Sequence, residues 1–495
     1  MKLTRISMAV ASLCAVSATP SFALTANQYT NTSEFVGDTM NIRASGATAV
    51  DPGFFAAALR LCKTPASVGG SAADTIHRYQ ISNSSVLFCN IDATKLTPRT
   101  GATKLAVYKY SQGGSGGGVQ NVNNATSIPF IDLSKLTANC ASATVTAAQD
   151  LDGTSPLPAF VDTSCTGAFN NTSNTSNAVS YIGISDVEPQ FFGNSSGFNN
   201  LKSEALVSVI FGVPVTKNIY EILQTQQGKT VGGLLEADMP SLSQAQLTSL
   251  YTQEGQTWSG ITGADTGLAD DTVYVARRVS TSGTQKSFEA VVAKTPNTTI
   301  GAARQCYSGT DVFVSGPNAA DNTAANTLCD GSNLVVNNSG SGQVLACMNK
   351  HQTGDRAAVG VLSTEYKQVA AGSIRFVKIN GVAPTYKGVA SGQYTQYTDV
   401  SLNTRIGSTL PTASALGYAN YLTAFKNGFA APSTVEVING SNQTFGPSGL
   451  VALDALVTPT VPVADYAGTT ARNPWSRLVG GSDLNNCQSG KAAAF

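Results

Sequence analysis

Arg278-Val279-Ser280-Thr281-Ser282-Gly283-Thr284 lies between a strand-like run, Thr272 to Arg277, and a helix-like run, Gln285 to Lys294. A fixed cation is followed by hydroxyls around a glycine, where a strand would hand over to a helix. Such a junction suits an oxyanion. The free N–H groups of the first helical turn point outward, and the helix dipole favours negative charge beside them. A guanidinium adds charge-assisted hydrogen bonds. The same residues also serve as a plain N-cap and turn, so the rest of the chain has to separate the two readings.

Similar junctions recur. Asn41-Ile42-Arg43-Ala44 reads as a strand ending in Ser45-Gly46. Asp51-Pro52 then opens a helix over Gly53 to Cys62, with proline at the first helical position. Leu105 to Tyr110 alternates as a strand does. It is followed by the run Gly113 to Gly118, with Ser115 inside it, and a short helix over Val119 to Val122. Ala178 to Ile184 is a strand ending in Ser185-Asp186. Leu206 to Val213 is an unbroken apolar run, of the kind a parallel sheet buries on both faces. Ser241 to Tyr251 reads as a helix capped by Ser241 or Ser243, Val359 to Leu362 as a small buried strand, and Ala413 to Phe425 as the last clear helix. This alternation predicts an α/β fold with parallel or mixed sheets, and ligand groups outside the carboxyl ends of the strands. Four such ends carry anion-compatible groups: Thr48, Ser115, Asp186 and the stretch from Arg278 to Thr284.

Composition sets the context. The 495 residues carry 30 Lys and Arg against 30 Asp and Glu, and only 12% are charged. That excludes a basic footprint for nucleic acid or an anionic membrane. Lys2 and Arg5 precede the apolar run Ile6 to Val16 and the small-x-small signal Ser21-Phe22-Ala23. Residues 1–23 therefore read as a signal peptide, with a mature start near Leu24 and a periplasmic or extracellular destination. No later segment is long and apolar enough to span a membrane. Without Cys14, eight cysteines remain, which in an exported chain argues for disulfides. Near-neighbour pairing predicts Cys62–Cys89, Cys140–Cys165, Cys306–Cys329 and Cys347–Cys487. Asn139 to Asn177 reads as a polar surface insertion clipped by Cys140 and Cys165. No C-x-x-C pair exists, and His77 and His351 have no ligand spacing, so no metal or cofactor is expected. No base beside a nucleophile is legible either, which argues against an enzyme.

The motifs together resemble the periplasmic phosphate-binding proteins of ABC transporters. Gly46-Ala47-Thr48 followed by Pro52 is similar to the family's Gly-Ala-Thr-Phe-Pro. Tyr110 through Val119 is similar to its glycine loop, and Ile182 to Asp186 to its Gly-x-Ser-Asp motif. Arg277 to Thr284 resembles its Arg-Arg-x-x-x-Ser-Gly-Thr motif in full, with Tyr251 and Trp258 at the family's spacing ahead of it. The resemblance spans about Asn41 to Tyr366. It implies a two-lobe periplasmic-binding-protein-like fold of type II, a monomer, and a transporter permease as partner. Residues 24–208 plus 366–495 would form one lobe and 209–365 the other, hinged near Val209–Val213 and Val361–Lys367. It also implies phosphate ligands at Thr48, Ala49, Ser115, Asp186, Arg278, Ser282, Gly283 and Thr284. Asp186 would accept the proton of hydrogen phosphate and repel sulfate, which carries none. Two positions depart from the pattern: Ala49 stands for the usual Phe, and Ser280 for an aspartate that pairs with the binding arginine. The low charge, the Asn/Ser/Thr-rich insertion and the cysteines leave a second class open, an extracellular structural or adhesive protein on the same scaffold.

Overall fold

The computed structural model describes residues 37–492, apart from 137–139, 146–156, 167–168, 170–173, 194–196, 254, 292–326, 408–409, 411, 440–441, 455–469, 481–482 and 488–489. The expected signal peptide and Cys306 lie outside the described residues. From β1 (Thr39–Gly46) the chain enters α1 (Asp51–Leu59). It then runs through β2 (Ile76–Ile81), β3 (Ser84–Asn90) and β4 (Lys104–Tyr110) into α2 (Gly114–Asn123). There follow β5 (Ser127–Ile131), β6 (Cys140–Val145), β7 (Phe160–Cys165), β8 (Thr175–Val179) and β9 (Ile182–Ser185). The long strand β10 (Leu201–Thr216) leads to α3 (Lys217–Gln226), β11 (Ser241–Leu242), α4 (Gln244–Thr252) and α5 (Trp258–Thr262). The next segment is β12 (Tyr274–Arg278), α6 (Gly283–Val291), β13 (Val335–Asn338), α7 (Ser341–Thr353), β14 (Ala358–Gly360) and β15 (Leu362–Ser363). After β16 (Ile374–Ile379) and β17 (Tyr397–Arg405) comes a 19-residue helix, Thr412–Ala430.

The fold is mixed α/β. In one sheet β4, β1 and β9 lie parallel, and β17 joins β9 antiparallel and carries the N-terminal half of β10. In the other, β13, β12 and β14 lie parallel, and the C-terminal half of β10 sits antiparallel between β14 and β16. β10 belongs to both sheets: Leu201 to Ile210 faces β17, and Val213 to Thr216 faces β16. At the changeover Phe211 and Gly212 pair with β15. Ala205 to Thr216 is buried throughout. The expected parallel neighbours are therefore corrected: the partners of the run are antiparallel, in two sheets, and α3, α7 and the helix Thr412–Ala430 pack against it. β16 lies beside that same half of β10, so Ile374–Ile379, read from sequence with the first lobe, sits in the second sheet.

Helix starts follow local chemistry. Ser243, not Ser241, caps α4 through a capping box with Gln246. α2 begins inside the glycine run rather than at Val119, with Gly113 at φ 84° as its N-cap. Glycine is a poor helix former, yet a side chain here would collide. A Cβ on Gly118 would lie 2.4 Å from the Ile184 carbonyl oxygen, and one on Gly183 would lie 1.7 Å from that of Gly118. Backbone-to-backbone contact seats α2 on β1 and β9, and the glycines permit it.

Disulfides join Cys62 to Cys89 and Cys140 to Cys165, the latter between paired residues of β6 and β7. The other two pairings are corrected. Cys329 is bonded to Cys347, because the first turns of α7 place Cys347 beside the 3-10 turn Thr327–Cys329. Cys329 thus does not pair with Cys306, nor Cys347 with Cys487; Cys487 is itself disulfide-bonded.

Candidate functional site

Four helix N-termini meet between the sheets: α1 just after Thr48, α2 around Ser115, α6 at Gly283 and α7 at Ser341. Contacts join them in series. Thr48 Oγ1 lies 3.2 Å from Ser341 Oγ. Arg278 Nη1 donates to Ser341 Oγ at 3.0 Å. A Cβ on Gly114 would come within 3.6 Å of Arg278 Nη2 and 3.4 Å of Ser282 Cα, and one on Gly283 within 2.3 Å of Ser115 Oγ. The Gly116 N–H donates to the Thr281 carbonyl at 2.9 Å. The four helices bring the positive ends of their dipoles to one buried place.

The side chains divide by hydrogen-bond polarity. Arg278 is fully buried at the end of β12. Its Nε donates to the Asn338 carbonyl at 3.1 Å and its Nη2 to the Ser339 carbonyl at 2.8 Å. Ser115 Oγ accepts from the Asp186 backbone N–H at 3.1 Å, which leaves its own proton to give. Ser282 Oγ accepts weakly from the Gln285 N–H at 3.4 Å, so the residue is an N-cap as well as a wall of the site. Asp186 is the acceptor among these donors. It is 1% exposed at the end of β9. Its Oδ2 takes the Thr284 hydroxyl proton at 2.8 Å, and its Oδ1 has no hydrogen-bond partner. Burial pushes the Asp186 carboxyl upward, opposed by the Thr284 bond, by the charges of Arg278 and Lys109 and, least, by the Ser115 hydroxyl.

Thr48, Ser115, Asp186, Arg278, Ser282, Gly283 and Thr284 are thus brought together. Ala49 adjoins them but faces β15, its carbonyl accepting from Ser363 Oγ at 2.7 Å. Ser280 is exposed. Tyr251 and Trp258 stand behind the second sheet, donating to the carbonyls of Gly360 and Ala357.

Two residues escaped the motif reading. Lys109 is 1% exposed and lies beneath the loop after β1. Its Nζ donates to the carbonyls of Gly46 at 3.1 Å and Ala47 at 2.8 Å, to Asp51 Oδ1 at 2.9 Å and to Ser111 Oγ at 3.0 Å. Nothing in a strand pattern marks such a lysine. Ser341 did carry a signal: Asn338-Ser339-Gly340-Ser341-Gly342 repeats the strand, Ser/Gly turn and helix order of the other three junctions.

Cys329, Cys347 and His351 also converge, their ligand atoms within 4.8 Å of one another. The two sulfurs are bonded to each other, and Arg356 Nε donates to His351 Nδ1 at 3.2 Å, so no thiolate pair faces a cation there. Among the described residues no helix is long and apolar enough to cross a membrane.

No protein-family model matches the chain, and no curated protein matches it. Several solved structures are loosely similar to it. A Clostridium perfringens protein with bound phosphate, described as a phosphate ABC transporter substrate-binding protein, is 14% identical. The match covers 77% of this chain and 93% of that one, with a TM-score of 0.39. A phosphate-binding protein from Stenotrophomonas maltophilia is 11% identical over 81% of this chain and 89% of its own, with a TM-score of 0.38. An ABC-type phosphate transport receptor from Vibrio cholerae is 17% identical over 50% of this chain and 74% of its own, with a TM-score of 0.30. Scores this low say nothing about what this chain binds.

Proposed function

We propose that the chain is an exported binding protein for inorganic phosphate, with the anion held between the two sheets and handed to a transporter permease. The observation that carries the reading is Asp186: a buried carboxyl with one oxygen engaged by Thr284 and the other unpartnered, among groups that otherwise donate. A bare acceptor is out of place beside an anion unless the anion brings a proton. Hydrogen phosphate has one to give at neutral pH and sulfate has none, so Asp186 would accept from the first and repel the second.

The remaining groups fit the same ligand. Arg278 supplies charge, while Thr48, Ser115, Ser282 and the N–H groups at Gly283 and Thr284 supply donors. A desolvated dianion needs that many, because each unmade bond to a buried charge costs about 1–3 kcal/mol or more. Calorimetry on the mature chain tests the reading: heat with phosphate and none with sulfate is expected, and equal response to both would overturn it. Asp186→Asn should narrow the gap between the two anions, and an unchanged gap would remove Asp186 from the discrimination.

A second reading, an extracellular structural or adhesive protein, draws on direct bonds between the two walls, such as Thr284 to Asp186 and Gly116 to Thr281. It predicts no phosphate heat together with assembly at a surface.

A further inference from the structure

The Ser341 hydroxyl sits among Arg278, Thr48 and Tyr366. Its hydroxyl oxygen accepts from Arg278 Nη1 at 3.0 Å. A guanidinium can only donate, so this contact leaves the serine proton for another partner. Thr48 Oγ1 lies 3.2 Å away, and the Ser341 backbone N–H already donates to that same oxygen at 3.2 Å. The backbone N–H thus makes Thr48 Oγ1 an acceptor, and either hydroxyl can donate across the 3.2 Å contact; with Ser341 as its donor, the threonine proton is directed away from Ser341. All three residues are at most 5% exposed, so water does not compete for these bonds.

We propose that Ser341 is a positioning residue that relays the charge of Arg278 across the cleft, fixing Thr48 O–H as a donor to the bound anion. The proposal rests on the phosphate reading. Arg278 and Ser341 belong to β12 and α7 of the second sheet, and Thr48 to the turn after β1 of the first. Donors in series polarise one another in a water-free setting, so a cation on one wall strengthens a hydroxyl on the other. The same turn does what position 280 does not. Ser280 is exposed, whereas the carbonyls of Asn338 and Ser339 and the Ser341 hydroxyl hold the guanidinium by its Nε, Nη2 and Nη1. These oxygens orient the arginine without adding a counter-charge.

Phosphate calorimetry on the full chain tests the relay with four variants: Ser341→Ala, Ser341→Thr, Thr48→Val and the Ser341→Ala/Thr48→Val double. Ser341→Ala should weaken phosphate about tenfold, the size of one charge-linked hydrogen bond, and Ser341→Thr should stay within about threefold of the parent. The double variant should bind about as the singles do, since independent sites would multiply to about a hundredfold loss. Ser341→Gly gives the same reading should the alanine variant not fold. A second readout is the Arg278 guanidinium by nitrogen NMR, assigned with Arg278→Lys. Its rotation should quicken in Ser341→Ala while the melting temperature holds. Unchanged binding in Ser341→Ala, or multiplicative losses, would overturn the relay. If the parent chain gives no heat with phosphate, that reading fails by itself, and an unaltered Arg278 spectrum in Ser341→Ala would then sink the relay separately.

Discussion

On the phosphate reading, Asp186 sets function against stability at a single position. Burial raises its folded-state pKa above that of the unfolded chain. The folded protein therefore holds the proton more tightly, and that contribution to stability is present at acid pH and lost as pH rises through the folded value. Ligand-free protein should thus gain from Asp186→Asn at pH 7, melting higher than the parent, with the difference closing below about pH 4 where the carboxyl is protonated in both states. Melting curves across that range check it, and a gain that persists at low pH would contradict it. Asp186, Ser115 and Arg278 were legible because each sits in a short motif at the end of a strand. Lys109 was not, because its role depends on where β4 passes under the β1 loop, which no local spacing encodes. Ser341 was overlooked although its own stretch carried the same signs.

At the level of elements, glycine content misled and then explained. The run Gly113 to Gly118 reads as a loop by propensity, yet it is the first half of α2, because the helix backbone touches β1 and β9 directly. Gly118→Ala should destabilise by about 1–3 kcal/mol through overpacking, measured by chemical denaturation; a neutral change would show that α2 can lift off the sheet. α7 gives a second test. The Cys329–Cys347 bond closes an 18-residue separation and tethers the helix whose first residue holds Arg278. Replacing both cysteines with serine should cost about 3 kcal/mol by loop-closure entropy and weaken phosphate as well. Stability lost with affinity intact would separate the tether from the site. Pairing the cysteines two by two in chain order missed this bond, although Cys347 lies nearer to Cys329 in the chain than Cys306 does.

At the scale of the whole molecule, an α/β architecture was readable from the alternation of strands and helices. Which strands share a sheet was not, since pairing partners lie far apart in the chain: β10 meets β17 almost two hundred residues later. The apolar run of β10 announced burial without saying that the strand passes from one sheet into another. Heating should therefore give one calorimetric transition, because the strand common to both sheets cannot leave one and stay in the other. Two resolved transitions would show the halves melting apart.

The shared strand also bears on how such a chain can vary. Cutting the gene between the sheets would strip hydrogen-bond partners from one half or the other and leave an open strand edge, an invitation to aggregate. Neither half can be swapped, duplicated or expressed as a module. Change is easier to accommodate elsewhere, as at the exposed strand β6, than in the strand that stitches the sheets together.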